Sequence, residues 1–370
     1  MRKVLLAPAL IFGGSAFAAD TVTLSDNHLK ILDGKGKVLY QTPAPADNVQ
    51  AKLNSVPSGG RLVIPAGMTV GALRGKSGVT VEADGAVTVN GNWDFSGLSG
   101  WTVRGKAPEQ GFVFQGARID ATGASQFAVG NTVFSGQPSN GFDGSAIQLN
   151  GASFGTVINN DFTNAQGNVL GMYNLDNMIF DGNHFTNCWQ PFSIQTPDPP
   201  NQNLGRNIII RRNVFLGTRR AAIEMGPNAT GWEYFSGIVV DNNYFDAFNN
   251  APGQGPALLA ISLVGAASVD TTVTNNFIRV GSKNVGNGAA IEVTGTGLTK
   301  NNVIWGWRFA GFTYQNGWTV RDNVQYQVVT QWYANTSNTP PGTVYSGTFT
   351  NNQMVGTAPA DPGWPARISW

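Results

Sequence analysis

Phe180-Asp181-Gly182-Asn183-His184-Phe185, Ile210-Arg211-Arg212-Asn213-Val214-Phe215 and Val240-Asp241-Asn242-Asn243-Tyr244-Phe245 are one phrase written three times. An apolar residue, two turn-forming or polar positions, an Asn and then an aromatic residue follow in fixed order. The Asn returns at Asn160, Asn183, Asn213, Asn243, Asn276, Asn302, Asn323 and Asn352, at intervals of 23, 30, 30, 33, 26, 21 and 29 residues. Self-similarity at this period marks stacked supersecondary units, each too small to bury its own apolar face. Because the phrases are strand-sized, the spacing predicts a β-solenoid. Asn tolerates left-handed backbone at a corner, and stacked amides hydrogen-bond from unit to unit, so the Asn row is expected to be structural.

Each phrase is followed by a turn and then a second strand. These align as Ile147-Gln148-Leu149, Leu170-Gly171-Met172, Phe192-Ser193-Ile194, Ile223-Glu224-Met225, Ile261-Ser262-Leu263, Ile291-Glu292-Val293 and Phe312-Thr313-Tyr314. Side chains alternate along a strand, so the flanking residues point inward and the central one outward. Upstream, residues 68–130 carry short Gly-punctuated strands such as Val79-Thr80-Val81 and Val87-Thr88-Val89. Before them, Asp47–Val56 reads as a helix, with Asp47 as N-cap and Val49, Leu53 and Val56 on one face. A solenoid needs such a cap to cover its open end.

The capping helix, the stretch Gly59-Gly60-Arg61-Leu62-Val63-Ile64-Pro65-Ala66-Gly67 and the Asn-anchored coils resemble the pectate-lyase-like superfamily over roughly residues 45–355. The resemblance implies an all-β fold, a single-stranded right-handed parallel β-helix with a short N-terminal capping helix. It implies secreted action on polysaccharides, although the superfamily also includes epimerases, phage tailspikes and adhesins. The polygalacturonase set of Asn-Thr-Asp, Asp-Asp, Gly-His-Gly and Arg-Ile-Lys motifs is missing, and the only histidines are His28 and His184. Function therefore has to be sought in this chain's own residues.

Four segments are expected: a signal peptide at 1–18, an N-terminal segment at 19–46, the β-helix at 47–355 and a tail at 356–370. Arg2 and Lys3, the apolar run Val4–Phe12 and the small-x-small site Ala16-Phe17-Ala18 form a secretory leader, placing the mature protein outside the cell or in a periplasm. The apolar run is too short to span a bilayer. Of 370 residues only 12% are charged, with 47 Gly and a net charge of +1, which argues against nucleic acid or an anionic membrane as partner. Cys188 is the single cysteine, so no internal disulfide forms.

Two of the outward positions carry carboxylates, Glu224 and Glu292, in a chain with five glutamates. At about 4.8 Å per strand they lie two coils, or roughly 9.6 Å, apart. That is close to the carboxylate spacing of inverting glycosidases, roughly 6.5–9.5 Å. Asp241 and Glu233 are further candidate partners for Glu224. Arg206, Arg211, Arg212, Arg219 and Arg220 crowd into fifteen residues. Arginine forks suit the acidic groups of sugars, and Arg219 and Arg220 precede Glu224's strand. Asp181, Arg211 and Asp241 fall in equivalent positions and read as an ion ladder.

Two insertions, Thr196–Arg206 after the preceding second strand and Gly226–Ser236 after Glu224's own, leave neighbouring coils on one side, and loops of this kind build groove walls. With Gln195 and Trp189 they supply Trp232 and Glu233 as substrate contacts, aromatic faces being suited to sugar rings. Trp305, Trp307 and Trp318 either extend the cleft or cap the stack. No cofactor is expected, since the carboxylates are dispersed; Ca²⁺ enters only if the reaction is a lyase's.

The expectation is a secreted polysaccharide-degrading enzyme, a glycoside hydrolase with paired carboxylates. The alternatives are a polysaccharide lyase acting on a uronate-containing polymer and a non-catalytic carbohydrate-binding or adhesive β-helix.

Overall fold

The computed structural model describes residues 21–25, 28–32, 38–43, 49–138, 145–194, 203–226, 234–246, 260–263, 269–279, 289–306, 310–314, 317–328, 330–334 and 348–368. Among them the strands form three long sheets of 16, 12 and 11 strands. From Arg61–Pro65 onward the strands pair in parallel with their counterparts one coil on. Phe180 lies on Ile210 and then Val240 in the first sheet, and Phe185 on Phe215 and then Phe245 in the second. Phe192 lies on Ile223 and then Ile261 in the third. The molecule is a right-handed parallel β-helix.

The repeated phrase divides at a corner. Phe180 and Asp181 close the first-sheet strand Leu175–Asp181, and His184–Thr186 is already second-sheet strand. A regular coil thus holds three strands where the sequence pattern suggests two. Only Gly182 and Asn183 make this corner, too few to register as a break.

The eight asparagines form one hydrogen-bonded row. The backbone N–H and side-chain amide of Asn183 both donate to Asn213 Oδ1, each at 3.0 Å, and Asn213 does the same to Asn243. The pattern holds from Asn160 to Asn352. Each amide also donates to a carbonyl of the coil before, as Asn213 does to Phe180 at 3.1 Å. The left-handed backbone, however, is not at the ladder asparagines. It falls one residue earlier, at Asn159, Gly182, Arg212, Asn242, Asn275, Asn301, Asp322 and Asn351. That residue turns the chain, which frees the ladder Asn to point its amide inward along the stack.

Inside, aromatic residues follow the same translation. Phe114, Phe134, Phe162, Phe185, Phe215 and Phe245 stack in one column with ring centroids 4.6–5.1 Å apart. The column spacing is the strand spacing of about 4.8 Å, so every ring meets its neighbour without leaving the pleat.

The described residues at either end are tied to the stack. The helix Val49–Ser55 buries Val49 and Leu53, as its apolar spacing predicts. Thr21–Ser25 pairs in parallel with Arg61–Pro65, and His28–Leu32 and Val38–Pro43 extend the sheet from it in antiparallel fashion. At the other end, residues 356–368 turn back along the outer face of the second sheet. Asp361 accepts from Tyr244 at 3.0 Å and Arg279 at 2.9 Å, and Trp364 meets the His184 ring edge-on at 5.4 Å. Further back, Arg367 pairs with Asp161 and donates to Asn159 O at 2.8 Å.

This tail buries His184. Burial first, and then the Arg367 charge, push its imidazole down to about 4 despite Asp161 at 3.9 Å. A folded value below the ordinary 6.5 means that the native state binds this proton less readily. The His184 contribution to stability is therefore present above about pH 6.5 and lost as pH falls towards 4. Deleting residues 356–370 should return His184 towards 6.5, read by NMR titration of its ring proton; an unchanged value would mean that the tail does not cover it.

The ladder gives a second expectation. Asn213→Ala leaves the Asn183 backbone N–H and one proton of its side-chain amide without their acceptor, and takes the amide donor from Phe180 O, all inside the protein. At about 1–3 kcal/mol per stranded buried group, the loss of unfolding free energy is about 3 kcal/mol or more. Asn352→Ala, at the partly exposed end of the row, should cost about 1 kcal/mol. Urea unfolding of the two variants ranks them, and equal losses would count against the ladder.

Candidate functional site

The long connections of this β-helix are unevenly placed. The ladder corner, between first and second sheets, takes two residues in each Asn coil. Entering the third sheet, the described strands end at Asp246 and Arg279 and resume at Ile261 and Ala289. Leaving it, they end at Ile194, Met225 and Leu263 and resume at Asn203, Tyr234 and Thr271. The insertions thus flank both edges of one sheet. The first is shorter than the sequence reading allowed: Asn203–Arg211 is a strand, so Arg206 belongs to the first sheet.

The outer row of the third sheet runs in register as Gln148, Gly171, Ser193, Glu224, Ser262, Glu292 and Thr313, the order deduced from alternation. Around Glu224 the row is not solvent-washed: Ser193, Glu224 and Ser262 are 0%, 6% and 2% exposed.

Glu224 has a donor on each oxygen. Gln190, itself 1% exposed, donates its side-chain amide to Oε2. Arg220 places Nη2 at 3.4 Å from Oε1, with its side chain 44% exposed towards solvent. Burial is the largest influence on the Glu224 carboxyl and pushes it upward; Arg220 and Gln190 pull it down, and Glu292 pushes it up again. The net direction is upward, favouring the protonated acid. Glu292 shares the face, with Ser262 between the two carboxylates, and the Ser262 hydroxyl donates to Glu292 Oε2 at 3.0 Å.

Of the other candidates, Trp189 adjoins the site, and its carbonyl accepts from the Arg220 backbone N–H at 2.9 Å. Gln195, Trp232 and Glu233 lie outside the described residues. Arg219 parts from Arg220, reaching back along the corner to Asn187 Oδ1 at 2.9 Å and Gln166 Oε1 at 3.1 Å.

Asp241 does not join Glu224. It lies on the first sheet, beside Arg211 in register, and accepts from Thr274 at 2.6 Å and Asn275 at 2.7 Å. The arginine cluster divides in the same way. Arg206 pairs with Asp176 at 2.9 Å, while Arg211 and Arg212 both close on the fully buried Asp181. The Asp181–Arg211–Asp241 alignment is as deduced, but Asp181 takes its second arginine from the corner position, Arg212. Trp318 is core, donating its indole N–H to Thr294 O at 2.8 Å, and Trp305 lies on the second sheet beside Arg279. Neither extends a cleft on the third sheet, and Trp307 is outside the described residues.

Gln190 escaped the sequence reading. It shares phase with Phe192 and Ile194 in the strand Gln190–Ile194, where a polar residue is out of pattern. That mismatch was the available signal. Cys188, next to it in the coil, is buried with its thiol pushed up to about 12 by burial, which leaves it inert as a nucleophile. Among the described residues no three His, Cys, Asp or Glu side chains gather to hold a metal ion, and no helix is long and apolar enough to cross a membrane.

Known structures with this architecture include the tailspike protein of E. coli bacteriophage HK620, in a double-mutant form in complex with a pentasaccharide. It is 17% identical, with a TM-score of 0.53 over 91% of this chain and 67% of that one. A single mutant of the same tailspike, also with a pentasaccharide, gives the same values. PfbA, a surface adhesin of Streptococcus pneumoniae, is 15% identical with a TM-score of 0.49 over 77% of this chain and 86% of that one. No family model matches the chain, and no curated protein matches it in sequence. The likeness to the tailspike is one of fold: this is a right-handed parallel β-helix protein.

Because burial raises the Glu224 carboxyl, ionising it costs the native state stability as pH rises from the ordinary range of a glutamate through the raised value. Glu224→Gln keeps the shape and removes that cost. The variant should melt higher than wild type at pH 7, with the difference shrinking towards pH 4. A variant that melts lower at both values would show that the ion pair with Arg220 outweighs the desolvation.

Proposed function

We propose that this protein is a secreted or periplasmic enzyme that hydrolyses glycosidic bonds of a polysaccharide lying across the third sheet, with Glu224 as proton donor and Glu292 as base. The observation that carries this reading is the buried Glu224, held above its ordinary protonation range and facing a second carboxylate across a serine. The pentasaccharide in the tailspike of similar fold supports a saccharide ligand for such a surface.

In this mechanism the Glu224 O–H gives its proton to the glycosidic oxygen as the bond from that oxygen to the anomeric carbon breaks. A water oxygen forms the new bond to that carbon and loses its proton to Glu292. The separation of roughly 9.6 Å across two strand spacings leaves space for that water, as inverting hydrolysis requires. Arg220, the solvent-facing cation at the site, contacts the sugar. Nothing in this chemistry calls for a metal, so a chelator should leave the activity intact.

The test is a panel of neutral and uronate-containing polysaccharides treated with the mature protein, following both new reducing ends and the ultraviolet absorbance of unsaturated sugar. Reducing ends without absorbance, lowered about 10²–10⁴-fold in Glu224→Gln, are expected for loss of a general acid. Absorbance rising with the reducing ends would replace hydrolysis by elimination. Binding without cleavage, unaltered by the substitution, would leave a recognition module.

A further inference from the structure

The two donors to Glu224 are chemically unequal. Arg220 can only donate: it serves an accepting oxygen of Glu224 in either state and cannot receive the acid's O–H. Its contact is long, 3.4 Å, and its side chain is largely solvent-facing. Gln190 is buried at 1% exposure and anchored in a strand paired on both sides, with Asn168–Met172 before it and Ile223–Met225 after it. Its carboxamide carries both N–H donors and a carbonyl acceptor. An amide turned about its last bond receives an O–H from the same position at which it gave an N–H.

We propose that Gln190 is the positioning residue of the site, its carboxamide holding the Glu224 side chain in one orientation both as carboxylate and as carboxylic acid. The inference rests on Glu224 being the proton donor. Before the proton leaves, the Glu224 O–H points at Gln190 Oε1 or at the substrate, and the other oxygen stays in place. After it has passed to the glycosidic oxygen, the carboxylate accepts the Gln190 N–H, and a proton from solvent restores the acid. The charged groups facing Glu224 are Arg220 and Glu292. Neither can stand in for Gln190: Arg220 has no acceptor for the acid's O–H, and Glu292 repels the carboxylate.

Gln190→Met keeps length and burial and removes the amide; Gln190→Asn keeps the amide and withdraws it by one methylene. Both are to be compared with wild type by infrared titration of the protonated-carboxyl band, identified as Glu224 by its loss in Glu224→Gln. The expected result in either variant is a broader band and a titration midpoint at least one unit higher, because the carboxylate has lost its buried donor. With a cleaved substrate, the alkaline limb of the pH–rate profile should move the same way, and kcat should fall about tenfold with KM within about twofold. A band and midpoint unchanged in whichever variant folds would overturn the proposal. Should the infrared shift appear while wild type cleaves nothing, the hold on Glu224 stands and the hydrolase reading falls.

Discussion

One interaction organises this molecule: a buried Asn amide giving two hydrogen bonds up and down the stack while its oxygen receives two from the coil before. That exchange leaves the ladder corner no freedom. An inserted residue there would break the row and strand several buried polar groups at once, each a cost comparable to a large share of a domain's net stability. Length variation is therefore expelled to the remaining corners, both of which border the third sheet. The concentration of insertions around Glu224 follows from the rigidity of the opposite corner.

The charged residues of the second and first sheets show what structural carboxylates look like in this fold. Glu82 is clasped by Arg61 and Arg104, Asp181 by Arg211 and Arg212, and Asp246 by Arg279. Each of these acids has at least one arginine at close range, Arg104 at 2.7 Å from Glu82, Arg211 at 2.7 Å from Asp181 and Arg279 at 2.5 Å from Asp246, which offsets much of its desolvation. Glu224 is as deeply set as any of these except Asp181, yet its arginine stands off at 3.4 Å and its nearest partner is a neutral amide. The same low-charge surface that satisfies its other acids leaves this one poised towards its protonated form.

Much of this was legible in the sequence, and the parts that were not share a cause. The Asn phrase and the outward row from Gln148 to Thr313 are periodic, and period translates directly into stacking and facing. Three strands per coil stayed hidden because the corner at Gly182 and Asn183 is shorter than any recognisable turn. The split of the arginine cluster stayed hidden because Arg212 and Arg219 are near in sequence but sit at different corners, with the strand Val214–Leu216 between them, and that strand cannot be read from composition. Asp241 was drawn to Glu224 by scarcity of acids, when its register with Arg211 already placed it elsewhere. The returning tail has no period at all, and its anchors, Asp361, Trp364 and Arg367, acquire meaning only beside Tyr244, His184 and Asp161.

A purely structural role for Glu224 has to contend with its own row. Apart from Glu292, its proposed partner, the aligned positions are filled by Gln148, Gly171, Ser193, Ser262 and Thr313, neutral residues that occupy the row without charge. A glutamine at 224 would meet Gln190 amide to amide and spare the native state the desolvation of an anion. What a glutamine cannot do is give up and recover a proton. The substitution that desolvation alone would favour is the one that removes acid–base chemistry, and the proposed proton donor is the role that would give a carboxyl, rather than an amide, its use at this place in the sheet where the fold gathers its insertions.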